Sequence, residues 1–530
     1  MRKSALVSCL LVVSVLFSGC GSKNETPKES PKVFIFARGS DAQKLDPADV
    51  DDGESVNTLT QICEGLVRFK SGTLEIEEWL AESYDISEDG LHYDFKIRPG
   101  IVFHDGTPLD AAAAAYSFQR QLDESHPAHL PEAAFAYWSY LYQDVVSVEA
   151  IEPMVLRISL KQPNAAMLRS LAIFPAWLIS PKSLDTYGSE MQRHPIGTGP
   201  YRLKEWRPNE AIILERNPDY WAEAPEFERM IIKVVPDNTT RLLQLKSGAI
   251  HGMDGLQPTE VAALRSDPAI TVYEEGGLNV GYMAFNLETE RMAIPEVRKA
   301  ISLAIDKQSF ATVALEGAGR PANYPLPKGF LGYPSIEDAM VFDLERAREL
   351  IAPHKALFEE RPLEILVMNA PRPYLPDPVT AATFIKGQIE ALGIPAQVVS
   401  VDFKSQLDLL RNGEFETGLI GWVGDNGDTD NFLSVFFGSW AAVKGTATNY
   451  SFYREEEMDR LLLEARKETD SAKRADLYEQ TLALWKRDLP LLPLCHGDNI
   501  VVLSSQFEGF QLQKIGDLRL SEVRSKANAK

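Results

Sequence analysis

The sequence predicts a mixed α/β protein of more than one subdomain, built for export. Three observations lead there. Short β-rich runs alternate with amphipathic helical stretches along the chain, 530 residues exceed what one hydrophobic core accommodates, and the only long apolar run lies at the amino terminus.

That run, Ala5 to Phe17, follows Arg2 and Lys3 and closes on Ser18, Gly19 and Cys20. It is shorter than the ~20 apolar residues that span a bilayer. A basic start, apolar middle and small-residue end read as a cleaved secretory signal, residues 1–19. Gly21 to Pro31 is polar and Pro-bearing with nothing to bury, and reads as a tether. A formal net charge of -22 repels phosphate backbones and argues against a nucleic-acid partner. Cys9 leaves with the signal. Cys63 and Cys495 read as buried small side chains, with a single disulfide as the alternative.

The elements follow in order. Leu91 to Val102 alternates apolar and polar residues before a Pro-Gly turn, which predicts an edge of a half-exposed sheet. Pro295 to Glu316 opens with Pro-Glu and sets Val297, Ile301, Ala304 and Ile305 on one face, predicting a packed helix. Asp343 is an N-cap candidate for a helix with Leu344, Ala347, Leu350 and Ile351 on its apolar stripe. Pro378 to Leu392 reads as a helix stopped by Gly393, with strands following at Ile394 to Val401 and Phe415 to Val423. Polar loops then lie beyond strand ends, where open α/β sheets place their ligands.

Enzyme signatures are missing: there is no H-E-x-x-H, G-x-S-x-G, S-x-x-K or Walker loop. Gly197-Thr198-Gly199-Pro200 lacks a third glycine and reads as a structural turn, and His126 and His129 read as solvated loop histidines without metal partners. No metal or cofactor is expected. The richest polar cluster is Gly421 to Asn431, GWVGDNGDTDN. Neither frame counted from Asp425 or Asp428 puts Gly at the sixth position of a calcium loop. On residue types alone the cluster suits a strand-ending turn and cation recognition equally.

Several separated stretches together resemble family 5 of the extracellular solute-binding proteins, the peptide and nickel receptors of ABC importers. They are Leu80 to Ala111 (with Phe103-His104-Asp105-Gly106 as a turn), Pro195 to Trp221 with its P-x-G-T-G-P-Y block, and Asn279 to Asp306. Gly421 to Phe432 and Ala370 to Pro376 are similar to the ligand loop and R-P-Y segment of the family's dipeptide receptors, with Thr429 in place of a proline. A cysteine usual after that loop is missing, where Phe436-Phe437-Gly438-Ser439 stands. Phe17-Ser18-Gly19-Cys20 resembles the lipobox of bacterial lipoproteins, which implies a lipid on Cys20.

The resemblance implies a type II (cluster C) periplasmic-binding-protein fold, two lobes closing on a hinge with an extra inserted domain. Lobe I would comprise 32–56, 179–277 and 490–530, the insertion 57–178 and lobe II 278–489, with crossovers near Gly277 to Tyr282 and Leu489 to Cys495. It further implies a non-enzymatic, monomeric receptor, held to the membrane by its lipid alone and serving an ABC permease. Asp425 would receive a dipeptide's α-ammonium and Arg372 its α-carboxylate, with Tyr374, Trp422 and Gly424 in the same pocket. Haem, a nickel chelate, an opine or a longer peptide are the alternative ligands.

Overall fold

The computed structural model describes residues 32–131, 133, 135–335 and 340–526. The signal, Cys20 and the tether lie outside the described residues. No helix among the described residues is long and apolar enough to cross a membrane.

A long mixed sheet runs through both lobes. Its strands lie in the order Ala396–Val401, Leu363–Met368, Thr417–Val423, Asn279–Phe285, Leu491–Ser504, Gly252–Asp254, Val33–Arg38, Arg229–Val234, Ala211–Arg216 and Tyr201–Arg207. The joint between its halves is the strand Leu491–Ser504. Its first part pairs with Asn279–Phe285, aligning Gly281 with Cys495, and its second part pairs with Ile270–Gly276, aligning Gly276 with Asp498. The chain therefore passes between half-sheets at Gly277-Leu278 and again at His496-Gly497, side by side. Asn279 ties the two passages: its Nδ2 donates to the Gly497 carbonyl at 2.9 Å and its Oδ1 accepts from the Gly497 amide at 2.8 Å. The His496 Nδ1–H donates to the Asn279 carbonyl at 2.6 Å, and burial lowers this imidazole to about 4, so it stays neutral here.

The buried side chains fall into clusters that follow this division. One is built from residues 278–495, a second mainly from 66–178, and a third mainly from 34–63, 177–232 and 501–523. Cys63 and Cys495 belong to different clusters, are free and buried, and burial pushes the Cys495 thiol up to about 12. The second cluster sits under an antiparallel sheet ordered Ala81–Ile86, His92–Ile97, Val155–Leu160, Val145–Glu152. Here the edge expectation fails, since His92–Ile97 is paired on both sides. Its alternation was real, with Tyr93, Phe95 and Ile97 buried, but period two reports a face and carries no information about lateral neighbours.

Pro295 to Glu316 is likewise two helices, Pro295–Ala304 and Lys307–Leu315. Asp306 takes non-helical angles (φ -75, ψ 98) and accepts from the amides of Gln308 and Ser309, starting a new helix where the apolar stripe alone suggested continuity. Asp343 caps its helix as expected, accepting from the Arg346 amide at 2.9 Å. His126 and His129 are half-buried and engaged rather than solvated: His126 accepts from the Ala128 amide and His129 meets the Arg120 carbonyl.

Two stretches singled out in the sequence meet each other. The His104 ring bonds the Gly199 carbonyl at 2.9 Å, while a Cβ at Gly197 or Gly199 would sit 2.1 or 2.6 Å from the Ile62 carbonyl oxygen. Thr198 between them donates to Glu64, a buried carboxylate that also accepts from Trp79, Tyr220 and Trp221. Four donors on one anion substitute for water and anchor the loop without a cation.

Candidate functional site

A cleft of about 740 Å³ is lined from one side by 40–41, 43, 51–54, 56–57, Tyr137, 173–174 and 515–517, and from the other by 372–374, 421 and 423–425. Four of the expected residues, Arg372, Tyr374, Gly424 and Asp425, line it together.

Arg372 and Tyr374 belong to a tight turn closed by reciprocal backbone bonds between Arg372 and Leu375, at 3.0 and 2.9 Å. The turn rests on a floor without side chains. Gly421, Gly281 and Gly497 lie on three adjacent strands. A Cβ on Gly421 would stand 2.3 Å from the Tyr374 ring, on Gly281 2.9 Å from the Tyr374 carbonyl oxygen, and on Gly497 2.0 Å from that of Pro373. Because the last obstacle is backbone rather than a flexible side-chain tip, Gly497→Ala is expected to cost about 1 to 3 kcal/mol in denaturant unfolding. Gly387→Ala, in the helix Pro378–Glu390 with nothing within 4 Å, should be neutral or stabilise by up to ~1 kcal/mol. Equal losses at the two glycines would refute the close-packed floor.

The Arg372 guanidinium stacks on Phe403, 3.8 Å from the ring centroid, and its Nε is buried without a hydrogen-bond partner. Tyr374 is buried, and burial raises its phenol.

Asp425 begins the polar loop just past the strand Thr417–Val423. Gly424 is required by packing, since a Cβ there would lie 2.4 Å from the Phe432 ring, and its amide donates to the Leu278 carbonyl at 2.6 Å. The loop's other acids are committed to the fold. Asp428 is held by Arg474 through two bonds of 2.9 and 2.8 Å, and although burial alone would raise it, that guanidinium brings it below the ordinary carboxylate range. Asp430 pairs with Arg466 at 3.0 Å. Asp425 has neutral partners: the Tyr137 hydroxyl donates to Oδ1 at 3.2 Å and the Asn431 amide to Oδ2 at 3.4 Å. Desolvation pushes its carboxyl up to about 6, against the pull of the Asn431 and Tyr137 hydrogen bonds. A carboxylate raised by burial and lacking a cation is poised to accept one.

Trp422 is not brought to the cleft wall. Gly421 and Val423 line the cleft, while the Trp422 indole N–H donates at 3.4 Å to Asn431, the residue that also bonds Asp425. Nothing in their sequence context singles out Tyr137 or Asp517, which arrive from distant segments. Asn431 was within view: its Oδ1 accepts from the Asp425 amide at 2.9 Å from six residues on.

Known proteins align along nearly the whole chain. Residues 75–443 match the family described as "Bacterial extracellular solute-binding proteins, family 5 Middle". Heme-binding protein A of Haemophilus influenzae is 30% identical, over 93% of this chain and 92% of its own. The dipeptide-binding protein of Escherichia coli is 28% identical, over 86% of this chain and 88% of its own. Among solved structures, HbpA2 from Haemophilus parasuis superposes with a TM-score of 0.86 at 31% identity, covering 93% of this chain and 100% of that one. The matched segment, the two-lobed fold and the cleft between the lobes agree: this chain belongs to family 5 of the bacterial extracellular solute-binding proteins, a family of receptors with the type II periplasmic-binding fold.

Proposed function

We propose that the protein is the substrate-binding lipoprotein of an ABC importer and captures short peptides, dipeptides above all, between its two lobes. The observation that carries this reading is the placement of one cation-free carboxylate, Asp425, and one guanidinium, Arg372, on the wall of a single cleft. A dipeptide extends over roughly 7 Å of backbone, so a fixed anion and a fixed cation measure its length. Arg suits the carboxylate end because its planar fork can engage both oxygens. Gly424, beside Asp425, keeps the loop backbone close to the ligand.

The relatives' names support this class and also include haem, so the direct test is mass spectrometry of ligand released from purified protein, with calorimetry against dipeptides. Released dipeptides and micromolar or tighter binding are expected; released haem or a metal chelate would overturn the reading. The lobe divisions expected from the sequence, 32–56 with 179–277 and 490–530, 57–178, and 278–489, are proposed as the closing bodies, acting as a monomer that presents the closed form to its permease. The signal at 1–19 and the lipid on Cys20 complete the proposal. They would hold the receptor outside the cytoplasmic membrane, on the periplasmic or extracellular side, by its lipid anchor alone.

A further inference from the structure

The cleft is lopsided in charge. Against Arg372 its lining carboxylates are Asp41, Asp51, Asp52, Glu54, Asp425 and Asp517. Asp41 is consumed by the fold: it takes the Trp206 indole at 2.9 Å, the Asn209 amide at 2.8 Å, the Ala42 amide at 2.9 Å and Arg38 at 3.5 Å. The others are not. Asp52 caps the helix Gly53–Leu59 through Oδ1, leaving Oδ2 buried without a hydrogen-bond partner. Among the described residues no hydrogen bond or ion pair engages the carboxylates of Asp51, Glu54 or Asp517.

Two guanidiniums act on this wall from behind. Arg38, felt by Glu54, is turned onto Thr58 at 3.0 Å and the Glu54 carbonyl; Arg519, felt by Asp517, donates to the Phe69 carbonyl at 2.7 Å. Burial pushes Asp517 up to about 6 with Arg519 alone opposing it, the condition of a carboxylate short of counter-charge. A bare dipeptide zwitterion brings one ammonium and one carboxylate. Those groups answer Asp425 and Arg372 and leave Asp51, Asp52, Glu54 and Asp517 with no cation among the described residues but Arg38 and Arg519 behind them.

We infer that this cleft selects ligands with an additional positive charge, short peptides bearing a Lys or Arg side chain, an assignment that rests on the dipeptide reading above. Repulsion by the same wall disfavours acidic side chains and the propionates of haem.

Calorimetry on the full chain at low and physiological salt, with Ala-Ala, Lys-Ala, Ala-Lys, Ala-Glu and haemin as probes, tests this. At low salt one or both Lys-bearing dipeptides should bind at least about tenfold tighter than Ala-Ala and Ala-Glu weaker than either, with the Lys advantage shrinking as salt rises. In a Glu54→Gln, Asp517→Asn double variant the ratio of Lys-dipeptide to Ala-Ala affinity should fall at least about fivefold. Equal affinities for all four dipeptides, or a preference for Ala-Glu, would overturn the inference and leave the dipeptide reading standing. Failure of every dipeptide to bind, or haemin bound in preference to them all, would overturn both.

Discussion

Asp425→Ala should abolish measurable dipeptide binding while leaving the fold intact. The ligand's ammonium would enter a desolvated site with no anion to meet it, and stranding one partner of a buried pair costs about 3 to 5 kcal/mol, two to more than three decades of affinity. Arg372→Ala should match it by stranding the carboxylate. Folding stability should move in the other direction from affinity at Asp425. Its carboxyl, raised to about 6, is ionised at neutral pH against the preference of its surroundings, so removing it relieves a cost even though Tyr137 and Asn431 lose an acceptor.

The pH dependence has a definite sign. In the free protein Asp425 protonates as pH falls through about 6, and a ligand ammonium requires the ionised form. Affinity is therefore full above that pH and declines below it, and near it binding releases a proton. Calorimetry in buffers of different ionisation enthalpy would detect that proton. Near-wild-type affinity in either variant, or affinity that rises on acidification, would sink the assignment of these two residues.

What could be read in advance depended on how local its cause was. The Asp343 cap was legible because the carboxylate and the amide it accepts lie three residues apart. Asp306 is equally local, but the apolar stripe on Val297, Ile301 and Ala304 continues to Ile305 and masks the break. His92–Ile97 showed its buried face and concealed its second neighbour, because pairing is decided by a strand some sixty residues away, Val155–Leu160.

At the cleft, Arg372 and Asp425 sit in stretches distinctive enough to be named through a family resemblance. Trp422, expected there through the same resemblance, reaches Asp425 indirectly through Asn431, which accepts from both its indole and the Asp425 amide. Tyr137 and Asp517 had no readable signature at all: each is an ordinary residue until the fold carries it to the cleft.

The largest loss of stability is expected from Arg474→Met, a change far from the ligand in sequence that acts on the loop presenting Asp425. Arg474, in the helix Ser471–Asp488, grips Asp428 with both terminal nitrogens and spends its Nε on the Ala465 carbonyl at 2.9 Å. Asp428 is only 3% exposed, so without that guanidinium its charge is buried and nearly alone. Removing one partner of such a pair costs about 3 to 5 kcal/mol. The lower end is expected, since Arg169 remains 3.9 Å away and the Asp430 amide still donates to the carboxylate at 2.9 Å.

Urea unfolding across pH separates this cause from lost packing. In the native protein Asp428 is held low, so its contribution is present above its unfolded value and is lost as pH falls through the folded one. Without Arg474, burial governs and the carboxyl rises. The variant should then recover stability relative to the native protein as pH falls from about 7 to 5, because protonation removes the stranded charge. A deficit that stays constant over that interval would show that Arg474 contributes packing alone. Asp428→Asn in the same background should restore part of the loss at neutral pH, since a neutral amide can keep the Asp430 amide as donor without the buried charge. Any dipeptide affinity lost with the loop's anchor should recover alongside stability.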